Sequence, residues 1–125
     1  MLVTVTTVLA GLIGLGVVIM GARAFWAPHA AVGFGIPDTP TGDPSFQAWL
    51  NVKSVRDIAA GLFIIIVLIA GTTQLLGWLM LAATAIPTGD ALIVRRSGGP
   101  KSAVYGVHGG TAAVMLVISV LLLVG

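Results

Sequence analysis

The sequence predicts an all-α integral membrane protein: an antiparallel four-helix bundle with one long interfacial loop between its first and second helices. Three observations lead there. Of the 125 residues, 58% are hydrophobic and only 8% charged, too little charge to cover a soluble domain. Four apolar segments, at about 2–22, 53–71, 75–94 and 102–124, approach the roughly 20 residues that a spanning helix needs. The connections after the second and third segments are short, which makes sequential helices antiparallel neighbours. Residues 1–125 therefore read as a single transmembrane domain.

Span one runs from Leu2 to Ala22. No Lys or Arg precedes it and it is as long as a full span, so it reads as a retained helix rather than a secretion signal. Gly11, Gly14, Gly16 and Gly21 offer flat places for another helix. From Arg23 to Asp43 the prolines Pro28, Pro37 and Pro40 break any long helix. Trp26 and Phe34 suit the membrane–water interface. This loop is expected to be an interfacial connector, with a lid over the bundle mouth as the alternative.

Asp43-Pro44 is a helix start, an N-cap residue followed by proline at the first helical position. The helix is expected to run to Ala70, with its first two turns among the headgroups and span two beginning near Lys53. Gly71-Thr72-Thr73-Gln74 makes a short turn. Span three follows, weakened near Asp90 by Pro87 and Gly89; Pro87 leaves the carbonyl of Ala83 without its helical donor. Arg95 to Lys101 is a basic turn, and span four opens on Gly106, Gly109 and Gly110.

All six Lys and Arg residues lie in or beside the first and third connections. The positive-inside rule then puts both termini outside the cytoplasm and the basic connections within it, in the cell membrane. A net charge of +2 is a small imbalance set by topology and gives no nucleic-acid signal. The absence of cysteine excludes disulfides, thiolate catalysis and iron–sulfur ligation. The two histidines lack a helical ligand spacing, so no metal and no cofactor is expected.

Ionisable groups at one depth are the functional signal: Arg56 and Asp57 in span two, Asp90 in span three and His108 in span four. Charge in a membrane is costly and marks functional sites by default. Lys53 and Asp57, four residues apart, pair on one helix face. Arg56 points about 100° away from Asp57, which makes an Arg56–Asp90 bridge the expected partner arrangement and leaves His108 least committed. Asp57, Asp90, His108 and Arg56 are thus the candidate catalytic set. Lys53, Phe34, Thr111 and Met115 are the candidate ligand lining, although Met115 alone reads as core filler.

Three functions compete. Two carboxylates, an Arg and a His around an apolar cavity can carry out acid–base chemistry on a lipophilic small molecule: isomerisation, cyclisation or epoxide opening. A proton-coupled carrier or channel subunit would need a homo-oligomer and a site nearer the midplane. A structural module would use the cluster only as an ion-pair network. The expected partners are the lipid bilayer, a lipophilic small molecule and a second copy of the chain.

The succession Gly33-Phe34-Gly35-Ile36-Pro37, Lys53-x-x-Arg56-Asp57 with Gly61, Gly89-Asp90-Ala91 and His108-Gly109 resembles a family of small bacterial and fungal membrane proteins, the domain of unknown function 4267. The likeness covers nearly the whole chain. Where the family usually has Gly after the Lys, this chain has Ser54. The resemblance implies four membrane helices and implies that Arg56, Asp57, Asp90 and His108 occur together. It implies no particular activity.

Overall fold

The computed structural model describes Met1–Gly125 and is all-helical, without strands. Helix α1 (Leu2–Arg23) leads through a 3-10 helix (Pro28–Phe34) to α2 (Pro44–Ala70). Helices α3 (Thr73–Ala83) and α4 (Ala85–Arg96) follow, then a π-helical segment (Ser102–Gly109) that continues into α5 (Gly110–Val124).

Helix α1 shows the surface of a membrane helix. Its buried residues are all small: Thr6, Ala10, Gly14 and Gly21. Its large residues Leu12, Leu15 and Ile19 are exposed. A soluble helix would bury the large side chains; in lipid, small residues let backbones approach. The small stripe meets α2. A Cβ built on Gly11 would touch Leu68, one on Gly14 would touch Ile64, and one on Gly21 would touch Ile58 and the Ser54 carbonyl. The pairs reverse in order along the two helices. Gly16 faces open space and takes no part.

The start of α2 follows from its own sequence. The Asp43 carboxylate accepts from Phe46 N at 2.8 Å, and Pro44 occupies the first helical position. By length and composition, three helices can cross a membrane: Leu2–Arg23, Thr73–Arg96 and Ser102–Val124. Helix α2 differs from them because Lys53, Arg56 and Asp57 interrupt it. Its uninterrupted apolar part, Ile58–Ala70, extends about 20 Å at 1.5 Å per residue.

Thr72 caps α3 by accepting from Leu75 N at 3.1 Å. The helix Thr73–Arg96 is interrupted at Thr84, three residues before Pro87. The Thr84 N–H is shared between the carbonyls of Met80 and Leu81, at 3.1 and 3.2 Å. Hydroxyls of Thr84 and Thr88 also bond to the carbonyls of Met80 and Thr84. The break is thus hydrogen-bonded by its own side chains.

Two apolar clusters hold the helices together. The larger joins Ala10, Ile64, Leu76, Met80, Met115, Ile118 and Leu122. The smaller joins Val94, Ala103 and Val104, with Phe34 and Ala91 against it. The second cluster fastens the long loop to the rest. Gly35 adopts φ 107° there, and a Cβ on it would collide with Ala103 and Val94. Glycine is needed at that position for both reasons.

Candidate functional site

Beneath the docked loop lies a cavity of about 820 Å³. The end of α1 contributes Met20 and Arg23, and the loop contributes Ala31, Phe34, Ile36 and Asp38. Helix α2 supplies Phe46, Leu50, Lys53, Ser54 and Asp57. Asp90 and Ile93 come from α4, and Val107 and His108 from the π-helical segment. The loop is therefore the roof of a cavity rather than a plain connector.

The expected pair within α2 is present: Lys53 Nζ lies 2.6 Å from Asp57 Oδ2. The same ammonium stands 5.2 Å from the centroid of the Phe34 ring. The pair is partly solvated and worth a few tenths of a kcal/mol, about 0.3–0.5. It is the only ion pair in the structure.

The Arg56–Asp90 bridge does not form. Arg56 is exposed, does not line the cavity, and donates from Nη1 to its own helix at Val52 O, 3.3 Å away. Its position on α2, one residue before Asp57, carries it around the helix away from the cavity. Asp90 is left half-buried with neither an ion pair nor a hydrogen bond. Lys53, His108 and Asp57 lie within electrostatic reach of it.

His108 is the most committed of the four, not the least. It is only 7% exposed, and its Nε2 lies 2.7 Å from the carbonyl oxygen of Phe34. A carbonyl only accepts, so Nε2 carries the hydrogen. The imidazole and the Phe34 ring also stack at 4.4 Å between centroids, tilted by 53°. Nδ1 has no protein partner, yet no buried side-chain nitrogen or oxygen is unsatisfied. Nδ1 is therefore not sealed off, and His108 is among the residues that line the cavity.

Two lining assignments are corrected. Met115 is buried in the larger apolar cluster, packed with Ile118 and Leu122, and is core. Thr111 is exposed and its hydroxyl returns to Val107 O at 2.6 Å. Both lie beyond the π-helical segment, one or two turns from the cavity. Sequence reasoning also missed Arg23, Asp38 and Ser54 as lining residues. Arg23 was legible only as a topology signal, and Asp38 only as a loop residue. The buried Ser54 hydroxyl bonds to Leu50 O at 2.9 Å, which satisfies it within α2. No three His, Asp or Glu side chains converge as a metal-binding group.

No curated protein and no solved structure matches the chain. One family model, described as a domain of unknown function (DUF4267), matches residues 14–122. That range takes in Phe34, the Lys53–Asp57 pair, Asp90 and His108, all of which line the cavity. A match from α1 into the last turn of α5 settles the relationship: the chain belongs to the DUF4267 family.

Proposed function

We propose that the chain is an antiparallel four-helix membrane bundle whose loop-end cavity takes a lipophilic small molecule head first and moves a proton on it. Helix α2 serves as the fourth span, with Lys53, Arg56 and Asp57 at headgroup depth and Ile58–Ala70 in the hydrocarbon. All Lys and Arg side chains belong to the loop end, which favours a cytoplasmic cavity, extracytoplasmic termini and the cell membrane.

Asp90 carries this reading. An unpaired carboxylate facing an apolar-walled cavity is costly, and a purely structural network would have paired it. His108 lines the same cavity, with one nitrogen committed to the loop and the other without a protein partner. The pair suits a redox-neutral isomerisation. The Asp90 carboxylate removes a proton from a carbon next to a polarising group, the double bond shifts, and the proton returns to the far carbon from Asp90 or through His108 Nδ1.

A carrier would need a polar path on to Thr72–Gln74. The intervening helix segments hold the larger apolar cluster. The buried hydroxyls of Thr6 and Ser119 are satisfied by carbonyls of their own helices. That favours a site open at one end.

The test is deuterium exchange into the molecule that copurifies with the protein, read by mass spectrometry after incubation in deuterium oxide. Wild type should label it at carbon, and whatever Asp90→Asn still holds should stay unlabelled. A retained molecule that wild type never labels would remove the proton-transfer part of the proposal.

A further inference from the structure

We infer that the head group taken by this cavity is a hydrogen-bond donor without negative charge, and that its class is a protonated lipophilic amine. The inference rests on the cavity being a site for a lipophilic ligand, and it names the ligand's polar end.

Each inner donor group already holds one acceptor. Lys53 Nζ is held by Asp57 Oδ2 and lies against the Phe34 ring. The Ser54 hydroxyl donates to Leu50 O, and His108 Nε2 donates to Phe34 O. Toward the ligand, acceptors remain beside the two further N–H of Lys53 and the Arg23 guanidinium. Asp90 offers two carboxylate oxygens and Asp57 offers its Oδ1, while His108 has no protein partner at Nδ1. His108 is a buried side chain with one nitrogen free of protein partners, and it lines the same cavity as the unpaired carboxylate, so the site does not depend on acidic residues alone.

Charge points the same way. Lys53 and Asp57 neutralise one another, and Arg23 and Asp38 contribute one charge of each sign from the end of α1 and the loop. Arg23 and Asp38 are not paired with each other but cancel in sum, so Asp90 leaves the lining net negative. A carboxylate or phosphate head would set a second negative charge beside it. An ammonium would neutralise it through a charge-assisted hydrogen bond and find the Phe34 and Phe46 rings among the lining residues. The apolar wall formed by Met20, Ala31, Ile36 and Leu50 suits the alkyl part.

The experiment compares dodecylamine, dodecanol and dodecanoate, which share one chain length, by native mass spectrometry of the purified protein in neutral detergent. The amine should bind at least about tenfold more tightly than the carboxylate, a difference of about 1.4 kcal/mol, with the alcohol between them. Asp90→Asn should bring the amine down to the level of the alcohol. Dodecanoate binding as tightly as the amine would overturn the inference, as would an amine preference that survives Asp90→Asn. The wild-type series decides the matter even if the variant does not fold. Ala31→Trp, which fills the cavity, separates the two levels. If it abolishes binding while dodecanoate is the preferred ligand, the lipophilic site stands and the head assignment falls. If none of the three binds to wild type, both fall.

Discussion

His108 donates from Nε2 to the carbonyl oxygen of Phe34 at 2.7 Å, joining two residues 74 positions apart. One bond thereby ties the roof of the cavity to the helix that forms its inner wall. The π-helical turns that carry His108 are wider than α-helical ones and are frequent at functional sites. Losing the donor would leave a carbonyl without its partner, at a cost of about 1–3 kcal/mol.

His108→Ala should therefore loosen the loop without unfolding the helices. Amide hydrogen exchange across Pro28–Thr39 should speed up by about ten- to a hundredfold, while α3 and α5 stay protected. His108→Gln, which can still donate, should restore part of the protection.

Asp90→Asn should separate stability from function. The carboxylate has no partner, so neutralising it should stabilise the empty protein, by up to about 1 kcal/mol given its half exposure. Thermal unfolding in detergent should shift upward or stay level, while proton exchange on the bound molecule is lost. A large drop in stability would mean that Asp90 is a structural partner.

Arg56→Ala should leave both ligand retention and folding nearly unchanged, within about 0.5 kcal/mol. Its guanidinium bonds only to Val52 O and does not line the cavity. Loss of retention in this variant, measured beside Asp90→Asn, would reinstate an Arg56–Asp90 partnership.

Gly61→Ala should disturb the closest helix contact. The added Cβ would sit 2.5 Å from the Gly14 carbonyl oxygen and 2.6 Å from Val18 Cγ2. Helices α1 and α2 must separate to admit it, costing about 1–3 kcal/mol. Thermal unfolding in detergent measures this, with Gly16→Ala, which faces open space, as the neutral control.

Local chemistry was legible in the sequence, and side-chain direction was not. Asp43-Pro44 announces a helix start because capping is settled within four residues, and α2 begins there. Lys53 and Asp57 pair because helical spacing alone brings them together. Pro87 signals the weakened helix, and the break falls at Thr84, next to Ala83, whose carbonyl lacks the proline's donor. Arg56 turns to its own helix while Asp90 lines the cavity, and an expected depth was all that the hydrophobic pattern supplied. The His108–Phe34 bond was hidden for a different reason. It depends on a loop folding back over the bundle and on a π-helical register, neither of which has a local signature here.

The central claim is that the cavity under the loop is a site for a lipophilic molecule. Its most direct test is the quantity of small apolar molecules that copurify with wild type and with Ala31→Trp, compared by mass spectrometry. The account predicts one species retained near stoichiometrically by wild type and lost from Ala31→Trp. The same lipids in the same amounts from both proteins would contradict it.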